Sequence, residues 1–236
     1  VAIVGSGRLS VEEQYLLWRL RDALGEGVPS WIVARTAEGD GKLLSADRNP
    51  NVRGALLTGL IKELPDKEPG ELRERLENGS VDTILSVGED LSEWGLPDDL
   101  VHKATSLHIG THFGGCSQHH DVELPLLTVF EKNGSFVNQQ FRLQRFAQAV
   151  PGPKGVLHGL RTFTRLLALV DPETELAPAP ASIWKAMAQE IPEFAGIEFD
   201  RIPPTGTPLD DKRFAELPFI EGKSLHYEPR AAAVEA

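Results

Sequence analysis

Five residues with metal-ligating or nucleophilic side chains crowd one stretch, HIGTHFGGCSQHH: His108, His112, Cys116, His119 and His120. Imidazole and thiolate are good zinc ligands. The spacings, however, match no familiar zinc pattern. A histidine inside a strand and another past its end are not preset on one face. The expectation is that these groups do not converge on one ion, that no metal is held, and that the loop histidines act as hydrogen-bonding groups. Cys116 follows Gly114 and Gly115 in a loop. As a nucleophile it would need a nearby base and a lowered pKa, and the sequence supplies neither. Residue counts leave a Ser-His-Asp triad open, but no GxSxG nucleophile elbow is present.

A second candidate is GSGRLS, a glycine-bearing turn between a strand and a helix. A dinucleotide fingerprint needs a third glycine, so that the helix can pack close, and an acidic residue at the end of the next strand. Ser10 stands at the first of those places, and the next strand ends in Ala34-Arg35. A bare helix N-terminus can still hold a phosphate, yet a tight turn is the simpler reading.

The elements that must position these residues follow from apolar periodicity. Val1 to Val4, SWIVA, VDTILSVG and TSLHIG read as buried strands, and helices alternate with them. The first helix opens on Ser10, with Glu13 three residues on to complete a capping box, and Gly25 and Gly27 stop it. Tyr15, Leu16, Leu20 and Leu24 fall on one of its faces. Asn49-Pro50 bounds a turn-rich stretch before a short helix. Glu71 to Asn78 reads as a charged, solvated helix closed by Gly79. VLHGLRTFTRLLALV and SIWKAMAQEI supply two more helices. Asn133-Gly134 between two β-rich runs signals a hairpin over Glu131 to Asn138, with Phe130 and Phe136 on its buried face. The pattern predicts a three-layer αβα domain with a mostly parallel, Rossmann-like sheet over residues 1–175. A C-terminal helix and irregular extension, 176–236, follow, and the tail RAAAVEA is expected to fray. Ligands on such sheets sit beyond the strands' carboxyl ends. Here those ends carry GSGRLS, the VGEDL turn and the HIGTHFGG loop.

Composition narrows the function classes. The 236 residues are 41% hydrophobic and 25% charged, ordinary for a globular domain, and the net charge is −11. That charge argues against nucleic acid, which needs clustered Lys and Arg. It argues equally against electrostatic docking on anionic lipid. The single cysteine makes no internal disulfide, fits a reducing compartment and falls short of the four thiolates of a usual iron–sulfur cluster. No apolar run approaches about 18 residues, so no direct membrane insertion is expected. A chain that opens on Val1, already within a strand, reads as a piece of a longer protein.

The stretch DVELPLLTVFEKNGSFVNQQFRLQRFAQAVPGP is the most specific feature. It resembles a segment shared by molybdopterin oxidoreductases, formate dehydrogenases among them, and by the large iron–sulfur subunit of respiratory complex I. In that segment an ADVVLP-type strand leads to an EKDGTFTN-type hairpin, a GRVQ-type stretch and a Pro/Gly break. The matching positions are Asp121, Leu124, Pro125, Glu131, Lys132, Gly134, Phe136, Asn138, Arg142 and Gln144. VAIVGSGRLSVEEQYLLWRL is similar to the family's GSARLTNEENYLLQKL-type element. LLSADRNPNVRGA resembles an ADRSPN-RGA stretch of the complex I subunit, and GSVDTILSVGEDL the segment before a GENP or GEDP turn. SIWKAMAQEIPEFAGIEFDRI is similar to the element that follows the domain. Two departures stand out. Leu91 replaces the usual proline after Gly88-Glu89-Asp90, and Gly114 to Ser117 stand where catalytic members carry a TETA-type loop.

The resemblance implies a fold like the α/β domains of formate dehydrogenase. It also implies a role inside the large subunit of an NADH:quinone oxidoreductase. That parent is an oxidoreductase, with iron–sulfur clusters in an upstream part. This chain would carry no cofactor and do no chemistry. It would buttress the cluster-bearing half and dock other complex I subunits of the peripheral arm, in the cytoplasm and peripheral on the inner membrane. A vestigial pterin groove would be lined by Gly5, Ser6, Gly88, Glu89, Asp90, Thr111, His112, Lys132, Asn138 and Arg142. The first alternative is a fragment of a catalytic molybdopterin enzyme such as formate dehydrogenase, with the pterin retained. The second is a free-standing nucleotide- or metal-binding α/β module.

Overall fold

A computed structural model of the protein describes residues 1–40, 44–112 and 119–220. Cys116 and the tail RAAAVEA lie outside the described residues. The chain runs β1 (Ala2–Ser6), α1 (Val11–Leu24), β2 (Ser30–Val33), α2 (Val52–Leu57), α3 (Gly70–Glu77) and β3 (Thr83–Val87). It continues through α4 (Asp98–Val101), β4 (Thr105–Gly110) and β5 (Val122–Pro125). The last elements are β6 (Gly134–Val137), β7 (Arg142–Phe146), α5 (Gly159–Val170), α6 (Pro180–Glu190) and β8 (Thr207–Pro208).

The first five strands form one parallel sheet in the order β2-β1-β3-β4-β5. Alternate residues of a strand face opposite sides, and the packing obeys this. Ile3, Ile32, Leu85, Val87 and Ile109 bury against α1, α2, α5 and α6. Ala2, Val4, Val33 and Ile84 bury against Leu72 and Leu76 of α3 and Leu100 and Val101 of α4. The result is the expected αβα sandwich. Some of the described residues after 176 join the first of these cores: Ile183, Trp184, Met187, Phe194, Phe199 and Phe214 all sit in it.

Helix α1 starts as its sequence requires. The Ser10 hydroxyl accepts from the Glu13 amide, and the Glu13 carboxylate accepts from the Ser10 amide. Gly25 caps its end with φ 132°. Tyr15, Leu16 and Leu20 are buried as expected, but Leu24 is 36% exposed at the last turn. Glu12, Glu13 and Gln14 are fully buried, because a second sheet and α6 cover the polar side of this first turn.

That second sheet is antiparallel, in the order β6-β7-β8. It corrects the expected hairpin. The turn lies at Asn138–Phe141, not at Asn133-Gly134. The Asn138 carboxamide oxygen accepts from the amides of Gln140 (2.9 Å) and Arg142 (3.0 Å), and Phe141 takes φ 52°. Gly134 instead opens β6, where close packing requires it. A Cβ there would come within 2.9 Å of the Phe146 ring and 3.0 Å of Ser10 Cβ. Phe136 stacks on Phe146 at 4.7 Å, whereas Phe130 is 66% exposed and buries no hairpin face.

Candidate functional site

In a sheet of this order the crossover direction reverses at β1, so the ends of β1 and β3 flank a natural crevice. Ser6 closes β1, and Gly88 and Glu89 follow β3. The crevice is occupied by the protein's own carboxylate. Glu89 Oε1 accepts from Ser6 Oγ (2.6 Å) and Arg8 Nε (2.6 Å), and Glu89 Oε2 accepts from Arg8 Nη2 (2.6 Å). Arg35, past the end of β2, lies 3.6 Å from Glu89 and 2.8 Å from Glu93. The Glu89 side chain is 3% exposed, while those of Arg8 and Arg35 are 47% and 53% exposed. A carboxylate held in this two-pronged way by arginine is among the strongest ion-pair geometries. Beside it lies a cavity of about 390 Å³ lined by Arg35, Thr36, Lys67, Glu93 and Trp94 as well as Glu89.

The glycines around the crevice have packing reasons. Gly88 takes φ 83°, and its Cβ position lies 3.2 Å from Ser6 Cβ. Gly5 faces Leu60, Ile32 and Leu17. Asp90 turns its carboxylate onto the amide and hydroxyl of Ser92, each at 2.9 Å.

The other expected groove residues are distributed differently. Thr111 and His112 follow β4 and pair with each other at 2.8 Å, both exposed. Lys132 is buried, and its ammonium contacts both oxygens of Glu13 at 2.6 and 2.7 Å. Asn138 makes the β6–β7 turn, and Arg142 donates to the carbonyls of Thr205 (3.3 Å) and Gly206 (3.4 Å). Gly5, Ser6, Gly88, Glu89 and Asp90 are thus gathered at the crevice. Thr111 and His112 end the neighbouring strand, and Asn138 and Arg142 belong to the second sheet.

Sequence reasoning gave Arg8 no role, and noted Arg35 only as a residue standing where a ribose-binding acid was expected. It also read LLSADRNPNVRGA as a resemblance without a physical role. In the structure this stretch clamps the GSGRLS turn. Asn51 donates to the Leu9 carbonyl (2.7 Å) and to Gln14 Oε1 (2.8 Å), and accepts from the Val137 amide (2.8 Å). Its own amide donates to the Gly7 carbonyl. Asn49 accepts from the Arg35 amide and donates to the Arg35 carbonyl. Arg53 pairs with Asp47 in the interior at 3.0 Å, and burial pulls its pKa down to about 10. Gly54 leaves room, since a Cβ there would come within 2.3 Å of the Asn51 side chain.

Glu12 does similar work on the second sheet. Its carboxylate accepts from the Ser135 hydroxyl (2.7 Å), the Ser135 amide (3.1 Å) and Trp184 Nε1 (2.7 Å). An unpaired edge strand needs such acceptors for its amides. Burial raises the Glu12 pKa, and these donors offset part of the rise.

The histidines form pairs. His108, in register with Ser86 and Glu123 across three strands, bonds Ser86 Oγ through Nδ1 at 2.7 Å. Its ring lies along the strand over Gly110, where a Cβ would meet Nε2 at 2.3 Å. His120 stacks on it at 4.9 Å. Burial, and then the neighbouring His108, push the His120 pKa down to about 4, and burial lowers that of His108. His119 lies 3.4 Å from Asp98 and edge-on to His102. Among the described residues no group of three or more His, Cys, Asp or Glu side chains could share an ion.

No protein-family model matches the chain. Over 83 residues, 35% of its length, it is 35% identical to the F420-dependent formate dehydrogenase 2 subunit alpha of Methanococcus maripaludis. It spans 12% of that relative's length. Part of the chain is therefore similar to a molybdopterin oxidoreductase. This partial match does not single out the large subunit of complex I. Among the described residues no helix is long and apolar enough to cross a membrane.

Proposed function

We propose that this chain is a molybdopterin-oxidoreductase-like domain in the large iron–sulfur subunit of an NADH:quinone oxidoreductase, where it acts as scaffold and docking surface. The observation that carries the reading is the Glu89 carboxylate in the strand-end crevice, where Ser6 and Arg8 already satisfy it. A pterin dinucleotide would bring its own anionic groups to that place and meet a like charge. Lys132, a further residue of the expected groove, is neutralised by Glu13 in the interior. The LLSADRNPNVRGA stretch, which resembles the complex I subunit, supports the same reading, because its polar side chains hold the fold together. On this reading iron–sulfur clusters lie elsewhere in the parent polypeptide, and electrons pass from NADH toward quinone without entering this domain. Its partners are other proteins of the peripheral arm, on the cytoplasmic side of the membrane. The test is to purify the parent complex, crosslink it and assay the large subunit for molybdenum and released guanine nucleotide. Crosslinks from this domain to its peripheral-arm neighbours, with neither molybdenum nor nucleotide, are expected. Stoichiometric pterin would overturn the proposal.

One observation favours a second reading, a segment of a formate dehydrogenase alpha subunit: the 35% identity over 83 residues. Formate-dependent reduction of a dye by the parent protein would select it.

A further inference from the structure

We propose that the open edge of β2 is a strand-addition site for an extended segment of a partner protein in which basic and apolar residues alternate. The inference names the partner chemistry of the docking role proposed above and rests on that reading. β2 ends the five-stranded sheet, so one of its sides has no neighbouring strand. The Ile3 amide donates to the Pro29 carbonyl, and the Gly7 amide to the Val33 carbonyl. Every second residue of β2 thus faces β1, and the amides and carbonyls of Ser30 and Ile32 point away from it. Among the described residues these four groups have no hydrogen-bond partner. Ile32 is fully buried, and a buried backbone group without a partner carries a cost that an added strand would remove. Residues 60–66 face this edge across a groove of about 570 Å³, which shares no residue with the cavity beside Glu89. The Leu60 carbonyl accepts from the Ser30 hydroxyl and from Arg21, side-chain bonds that leave the backbone edge open. In strand addition, main-chain bonds supply affinity and alternate side chains supply specificity. Trp31, Leu64 and Pro65 are half-buried in the wall and suit apolar side chains on one face. The described wall also carries five carboxylates against three cations. Two of those cations are engaged, Arg21 by the Ser30 hydroxyl and the Gly59 carbonyl, and Arg75 by Glu71. Glu26, Glu63 and Asp66 are exposed and form no ion pair among the described residues. Lysine or arginine on the other face of the added strand would meet them. A second copy of this chain would instead bring the same acidic edge against itself, so like charges oppose that pairing.

The test titrates the full chain into a fluorescent peptide of about six alternating lysines and valines, blocked at both ends, and reads anisotropy. A Kd below about 0.1 mM is expected. A glutamate–valine peptide, and the lysine–valine peptide with every amide N-methylated, are each expected to bind at least about tenfold more weakly. The variant E63K/D66K should lose at least about tenfold in affinity for the lysine–valine peptide. E173K/E175K makes the same charge change in the α5–α6 connection, at exposed residues that line no part of the groove, and should bind as wild type does. No binding by wild type, equal binding of the N-methylated peptide, or an equal loss in the two variants would each overturn the proposal. So would dimerisation of the chain that excludes the peptide. Pterin in the parent complex would sink the scaffold reading without altering these titrations, and a failed titration would leave that complex free of pterin, so the two failures are distinguishable.

Discussion

Replacing Lys132 by Met leaves the Glu13 carboxylate in the interior without its counter-charge. Lys132 is 4% exposed and Glu13 fully buried, with contacts of 2.6 and 2.7 Å to the two carboxylate oxygens. Glu13 retains one other donor, the Ser10 amide at 2.9 Å. Gly159 packs so closely that a Cβ there would meet Glu13 Oε1 at 2.3 Å, so the carboxylate has little room to turn toward water. His158 is nearby, but burial lowers its pKa, so it is neutral at pH 7 and does not replace the ammonium. Breaking one side of a buried pair costs about 3–5 kcal/mol, whereas removing both charges together is often close to neutral. Lys132→Met and Glu13→Gln are each expected to lose roughly that much, a large fraction of the roughly 5–15 kcal/mol typical of a domain. The double variant should recover about 2 kcal/mol or more of the summed loss, as expected for residues in contact. Glu13→Gln keeps an oxygen for the Ser10 amide, so its loss reports the ion pair and not the helix cap. Urea unfolding followed by tryptophan fluorescence gives all four stabilities, with constant m as the check on two-state behaviour. Single losses below about 1 kcal/mol that simply add would mean that the pair behaves like a solvent-screened surface bridge, and would refute the argument.

Asn51→Ala should destabilise the chain by about 3 kcal/mol or more, because it orphans the buried Val137 amide, the Leu9 carbonyl and Gln14 Oε1. A loss under about 1 kcal/mol in the same urea assay would show that water replaces the carboxamide. The histidine stack should make the fold acid-sensitive. His120 is depressed from 6.5 to about 4, so the unfolded chain takes up its proton first. The stability it contributes is complete above pH 6.5 and is lost as pH falls toward 4. The shift corresponds to at most about 3 kcal/mol, and the partial exposure of the ring reduces this to roughly 1–2 kcal/mol. NMR of the imidazole protons should show His120 neutral at about pH 5, and His120→Gln should flatten the stability slope below pH 6.5. A ring that titrates near 6.5 would sink this account. Glu12, raised by burial, acts in the opposite direction: its contribution is present below 4.5 and lost as pH rises. The His120→Gln comparison is therefore the informative one.

Much of the fold was legible because its signals are local. The alternation of apolar runs and amphipathic helices marked the parallel strands. Ser10 with Glu13 marked the start of α1, and Gly25 and Gly79 marked the ends of α1 and α3. The hairpin was misplaced because Asn133-Gly134 carries a strong turn signal that tertiary contact overrides. Gly134 is needed for its missing side chain, and the reversal is made by Asn138 instead. At the crevice, the strand-end rule selected Ser6, Gly88 and Glu89, since each follows directly from where a strand stops. It did not identify Arg8 as the partner of Glu89, because nothing in a solvent-facing loop arginine states which carboxylate it meets.

The sequence by itself determined the layer architecture and the direction of the main sheet. These depend on periodicities of two and about 3.6 residues and on caps that act within a single turn. Only the tertiary structure decided what those residues do. Lys132 and Glu13 are 119 positions apart, Ser6 and Glu89 are 83 apart, and Trp184 and Glu12 are 172 apart. A charge in a sequence reads as surface unless its partner is known, because burial without a partner is prohibitive. Packing brings the partners together: Glu89 and Lys132, two of the expected ligand-binding groups, are instead buried against Arg8 and Glu13.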